Sequence, residues 1–366
     1  MTRRLCTFVL CAQAVACGGG GGPAGGPADL GSFASNDLSL VMLPVDTCVA
    51  PCRSLATLRG NLEAWAIGAT AMYVATVPDN PTSDDHHLYA VPLSGGAPTV
   101  LASVSGSESG IASLAVDASS LYAITGTGNV SSTGASPIRV ALTSFPLTGG
   151  ALTELAAYST PGVMGTPALT GDGTSVFWLD RSLVQRVAHS GPTSVVAVLP
   201  TPTFGFAASA GGVFWIANPH PDKGGVGPTN PGALMRVAPS GGAPTSIGVV
   251  NGLDVTMGIA ADAENVYWVD NSSVAAYALM KQPLAGGTAT ALAKGSIASF
   301  ALAPDGQIYW TDRAMMIQQV ATAGGVPTPV SGGASIQGPP IRVDATSLYG
   351  IAYLGGAFAI RSIPRP

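Results

Sequence analysis

The chain has 366 residues, 10% of them charged, and 15 Lys and Arg against 20 Asp and Glu leave a formal net charge of −5. That balance excludes the basic footprint of a nucleic-acid binder, and with only three lysines (Lys223, Lys281 and Lys294) there is no basic run for an anionic membrane surface. A 47% hydrophobic content can fill one large domain or two average ones, and 48 Gly with 29 Pro point to many short strands joined by turns.

Residues 1–16 read as an export signal. Arg3 and Arg4 precede an apolar run from Leu5 to Ala16, 12 residues that are too few to span a bilayer, and Ala14-Val15-Ala16 satisfies the small-residue rule for cleavage. The "AVAC" at 14–17, followed by "GGGGGPAGGPA", resembles the lipobox and tether of bacterial lipoproteins. The resemblance implies a diacylglycerol on Cys17, a flexible tether over 17–38, and, with Gly18 after the cysteine, sorting to the outer membrane. Simple secretion with a free Cys17 is the other reading, because Ala14 stands where Leu is usual. Residues 39–52 form a lead-in whose "TCVAPC" pairs Cys48 with Cys52 in an oxidising compartment; no second Cys pair completes a metal site. No later stretch is apolar enough for a transmembrane helix.

From residue 53 onward the chain repeats. "IAADAENVYWVD…ALMKQPLAGGTATALA" at 259–293 and "FALAPDGQIYWTD…IQQVATAGGVPTPVS" at 300–331 each contain four short strands, A to D. The strand-B aromatic recurs at Tyr73, Tyr122, Phe177, Phe214, Tyr267, Tyr309 and Tyr349, at intervals of 37 to 55 residues. A Gly pair marks the C–D connection at 95–96, 149–150, 241–242, 286–287 and 324–325, which predicts two-residue hairpins. Four strands per unit at this period predict an all-β, seven-bladed β-propeller over 53–366, with a six-bladed ring as the rival. The last unit stops after strand C, and "RSLATL" at 53–58 has the pattern of the missing strand D, so an N-terminal strand is expected to close the ring.

Tyr309-Trp310-Thr311-Asp312, with "VYWVD" at 266–270 and "VFWLD" at 176–180, resembles the YWTD repeats of low-density-lipoprotein-receptor-type propellers and of bacterial exported propellers with degenerate copies. The resemblance implies structural repeats and a role in binding other proteins rather than catalysis. The residues read the same way. Alternation sends Tyr309 and Thr311 to one face of the sheet and Trp310 and Asp312 to the other. Tyr73, Tyr122, Trp178, Trp215, Trp268, Trp310 and Tyr349 are therefore expected as blade anchors in the gaps between sheets. Asp117, Asp262, Asp305 and Asp344 precede A–B turns, where each carboxylate is expected to accept backbone N–H bonds.

Antiparallel order puts A–B and C–D turns on one face of the disc and B–C and D–A connections on the other. The second set carries the insertions, at 77–87, 126–137, 158–167, 218–232 and 251–258, so binding residues are sought there. Asp84, Asp85, His86, His87, His220, Asp222 and Lys223 fall on that face as a candidate binding set, read as solvated polar loops rather than as a metal site. No cofactor is expected. The function this supports is a non-catalytic binding module, monomeric, anchored to the cell envelope through lipid alone, with another protein or an envelope ligand as partner. The alternative is an exported propeller enzyme, a lyase or lactonase-like hydrolase with its site at the channel mouth, for which Glu63 and Glu108 are the glutamates nearest the loop face.

Overall fold

Stretches such as "AMYVATV", "GVFWIA" and "NVYWVD" are short, β-branched and aromatic, and are bounded by Gly, Asp or Ser turns, so they form strands. The computed structural model describes residues 48–366 except 78–84, 106–108, 128–129, 132–133, 136, 148–150, 162–167, 173, 181–182, 188–192, 200–202, 219–225, 255–257, 274–276, 313, 333–335 and 337–339. Seven four-stranded antiparallel sheets make a seven-bladed propeller, with no helix among the described residues. Strands A to D of the first six blades follow one another in chain order, blade 1 running Asn61–Ile67, Ala71–Val77, Asp85–Pro92 and Thr99–Ser105. Blade 7 is built from Arg342–Val343, Ser347–Tyr353 and Ala357–Pro364, and Arg53–Arg59 pairs antiparallel with the last of these. The N-terminal strand thus supplies the missing strand D. Neighbouring A strands contact one another and form the innermost layer.

Every strand-B anchor is where the repeat put it, and alternation then assigns its partner. Tyr309 packs with Leu348 and Ile363 of blade 7, while Trp310 packs with Tyr267 and Val269 of blade 5. The same scheme gives one buried cluster per seam: Tyr122 meets Trp178, Phe177 meets Trp215, and Phe214 meets Trp268. In the other three seams a bulky group from elsewhere takes the place of the Trp. Trp65 of strand A fills the seam between blades 7 and 1, and Phe145 of strand C that between blades 1 and 2. Ile336 fills the seam between blades 6 and 7, and its Cγ2 would lie 1.6 Å from a Cβ added to Gly350, the residue aligned with Trp310.

The outer strands share a device that the sequence reading did not anticipate. In six of them one apolar residue is left unpaired as a β-bulge: Leu55, Leu101, Leu155, Val196, Ile247 and Leu292. A bulge turns two consecutive side chains to the same face and twists the edge. Each bulged residue packs into the seam with the next blade, and the distorted edge is a poorer template for pairing with another chain.

The C–D connections differ from the expected two-residue hairpins. The N–H of Gly95 closes a turn on the Pro92 carbonyl at 2.8 Å, and strand D begins only at Thr99. Gly95 and Gly96 have φ of 77° and 127°, so the pair redirects the chain after the turn, with the same turn bond at Gly241, Gly286 and Gly324. On the opposite face, the long B–C connection of blade 2 carries a small hairpin, Val130–Ser131 with Gly134–Ala135. Cys48 and Cys52 form the expected disulfide, with Cα atoms 5.6 Å apart.

Candidate functional site: the loop face

The A–B turns are consumed by structure. Asp117 Oδ1 accepts the N–H groups of Ser119 and Ser120, each at 2.8 Å, while Oδ2 accepts the Tyr122 hydroxyl at 2.8 Å. Asp262 treats Glu264, Asn265 and Tyr267 in the same way, and Asp344 treats Thr346, Ser347 and Tyr349. Burial raises the Asp117 and Asp344 carboxyls, but these hydrogen bonds outweigh it and hold both below the usual value. Burial, then the bond to Asp, pushes the Tyr267 and Tyr349 hydroxyls up. In blade 6 the turn is one residue longer, Leu302 pairing with Ile308, and Asp305 stands four residues before the tyrosine instead of five. There Arg365, from the end of blade 7, pairs with Asp305 and donates to the Tyr309 hydroxyl at 3.2 Å.

The loop face is organised by the last residue of the repeat. Asp312 accepts the N–H groups of Ala314 at 2.8 Å and Met316 at 3.0 Å, which folds the B–C connection of blade 6 into a tight turn. Met315 sits in that turn with φ of 62°, and Met315 and Met316 project outward, 37% and 36% exposed. On the neighbouring blade the B–C turn after Tyr353 runs through Gly355 and Gly356, both at positive φ, and leaves Tyr353 52% exposed. Asp270 plays the part of Asp312 in blade 5, accepting from Ser272 at 2.7 Å. In blade 4, Asn230 donates to Asn218 across the buried base of the B–C connection at 3.2 Å.

Of the candidate binding set, Asp84, His220, Asp222 and Lys223 lie outside the described residues, as do Cys17 and Glu108. His86 and His87, expected in a loop, lie instead in strand C, which begins at Asp85. Their pairing with Val104 and Ser103 continues the ladder, and alternation turns His86 into the seam with blade 2. His86 is buried, and its Nδ1 lies 2.9 Å from Glu63 Oε2, which also accepts the Ile111 N–H at 3.4 Å. His87 Nδ1 lies 2.9 Å from the Ser103 hydroxyl. These are bonds within and between blades rather than a solvated loop. No three of His, Cys, Asp and Glu come together as metal ligands among the described residues.

Two groups on this side escaped the sequence reading. Arg342, at the start of strand A of blade 7, stacks over Trp65 of blade 1 with 5.4 Å to the ring centroid, and burial lowers its guanidinium to about 10. Met315, Met316 and Tyr353 were passed over because single apolar residues in turns carry no pattern. The "AMM" beside the repeat motif was the available signal.

No protein-family model matches the chain, and no curated protein matches it. Solved structures do match in fold. The Pan2 WD40 domain of Neurospora crassa superposes with a TM-score of 0.54 at 8% identity, over 86% of this chain and 96% of that one. A chain of a mitotic checkpoint complex gives 0.52 at 11%, over 90% and 98%. A puromycin-hydrolyzing peptidase from Mycobacterium tuberculosis gives 0.50 at 14%, over 80% of this chain and 48% of the peptidase, about half of its length. At these identities the likeness is one of fold: the chain is a β-propeller.

Proposed function

We propose that this propeller is a non-catalytic binding module of the degenerate YWTD type, exported and held at the outer membrane by a lipid on Cys17. Its partner is another protein, engaged through the B–C/D–A face. One observation carries the reading: Met315, Met316 and Tyr353 stand exposed on tight B–C turns of adjacent blades, on the face that bears the insertions. Met and Tyr supply adaptable and rigid apolar contact area, and a rigid scaffold lowers the ordering cost of binding. The Glu63–His86 pair is the feature that favours the enzyme alternative. The Ile111 N–H on the same carboxylate gives the pair an inter-blade structural role instead.

The test is quantitative capture from cell envelopes by the full chain, with two variants compared. Met315→Ser/Met316→Ser/Tyr353→Ser is expected to lose at least tenfold of the captured partner. Val326→Ser, on the C–D turn of the opposite face and itself 85% exposed, is expected to lose none. Equal capture by both variants contradicts the reading. Mass measurement of the mature N-terminus, with Cys17→Ala as control, tests the anchor separately.

A further inference from the structure

The innermost strands of the ring repeat a small residue opposite the strand-B aromatic. It is Ala66, Ala115, Ala207, Ala260 or Ala301 in five blades and Thr170 in blade 3, each paired with the anchor of its own blade. In blade 7 the residue paired with Tyr349 is Arg342. Among the described residues of the seven A strands, only Glu63 and Arg342 are charged. Glu63 is taken up by His86 and the Ile111 N–H. Arg342 has no acidic partner.

The guanidinium has one protein acceptor among the described residues, the Ile341 carbonyl, 3.3 Å from Nη1. Its Cζ lies over the Trp65 ring, 5.4 Å from the centroid, and neither contact supplies a full negative charge. Nε and Nη2 have no partner among the described residues, and both reach solvent. Burial nonetheless lowers the guanidinium to about 10. A group that lies deep in the molecule and still meets solvent faces an internal water space. On the innermost strand of a propeller that space is the central channel. The wall is loosest at this point: the other neighbouring A strands pack side by side, whereas those of blades 7 and 1 do not among the described residues. A cation placed there without a counter-charge costs free energy that a bound anion would recover.

We propose that Arg342 holds a small organic monocarboxylate in the central channel, at the seam between blades 7 and 1. The carboxylate oxygens accept from Nε and Nη2, the two nitrogens left open, which present the planar fork that matches a carboxylate. One cation balances one negative charge. A sulfate or phosphate dianion would bring surplus charge to a wall whose other charged residue is the acidic Glu63, and is disfavoured. The site lies inside the ring, apart from Met315, Met316 and Tyr353, and stands independently of the function proposed for them.

The probe is sodium acetate, added to the full chain with ¹⁵N-labelled tryptophan. The Trp65 indole signal, assigned by its loss in Trp65→Phe, reports on the guanidinium above the ring. The expected result is a saturable shift of that signal, with a dissociation constant in about the millimolar range for so small a ligand, while the other indole signals stay fixed. Acetamide, the neutral isostere, and sodium sulfate at equal ionic strength are each expected to bind at least tenfold more weakly. Arg342→Ala installs the residue of five other blades and is expected to abolish the acetate-dependent shift. Arg342→Lys keeps the charge but not the fork; it should weaken binding at least tenfold, and it serves if the alanine variant fails to fold. No saturable shift in the unmodified chain would mark Arg342 as a packing residue for Trp65 and overturn the proposal. A shift undiminished in a folded variant, or reproduced by sulfate at the same concentration, would also overturn it.

Discussion

Four seams of the ring carry a strand-B tryptophan and three do not, yet all seven are filled. Between blades 5 and 6 the volume comes from Trp310; between blades 7 and 1 it comes from Trp65, one strand further in. Between blades 6 and 7 an isoleucine outside any strand does the same work over Gly350. The contrast teaches that the fold requires apolar volume in each gap and is indifferent to which strand delivers it. A motif that can be replaced in this way is scaffold, and its degeneracy is explained without appeal to function.

The largest effects should come from emptying either kind of seam. Trp310→Ala and Trp65→Ala are each expected to cost about 3–5 kcal/mol, measured by denaturant unfolding. A markedly smaller loss at Trp65 would mean that the seams without the motif are held differently. A smaller effect is expected at the A–B turns. Tyr349→Phe removes a bond to the Asp344 carboxylate and should cost about 1–3 kcal/mol. The Asp117 and Asp344 carboxyls sit below their unfolded value, so their contribution is present at neutral pH and is lost as pH falls below about 4. Tyr349→Phe should flatten that acid loss. The smallest effect is a gain. Blade 3 has Phe177 where five of the other six blades have Tyr, and Asp172 Oδ1 already takes the Thr174 and Ser175 N–H groups. Phe177→Tyr is expected to raise the melting temperature by about 2 °C.

Strand identity was legible because the strand-B aromatic and the Gly pair recur with the chain's own period, and ring closure because "RSLATL" has a strand-D pattern at the wrong end of the chain. The bulges were not legible, since an unpaired Leu155 and a paired Ala156 look alike until their partners are known. The histidines were misplaced for a related reason. "DDHH" reads as polar loop, whereas pairing with Val104 and Ser103 draws it into strand C, where Glu63 makes burial of His86 tolerable. The filler Ile336 lies outside any strand, so no alignment of repeats would find it. Gln282 was visible in such an alignment as the one polar residue in an apolar column. That it faces Gly248 required the structure.

That seams are closed by shared volume is tested most directly by a double-mutant cycle on Gly350 and Ile336. Gly350→Ala alone should destabilise by crowding Ile336, and Ile336→Ala alone by leaving a cavity. The account predicts that the double variant is more stable than the sum of the single losses implies, by at least about 1 kcal/mol. Strict additivity of the two losses would contradict it.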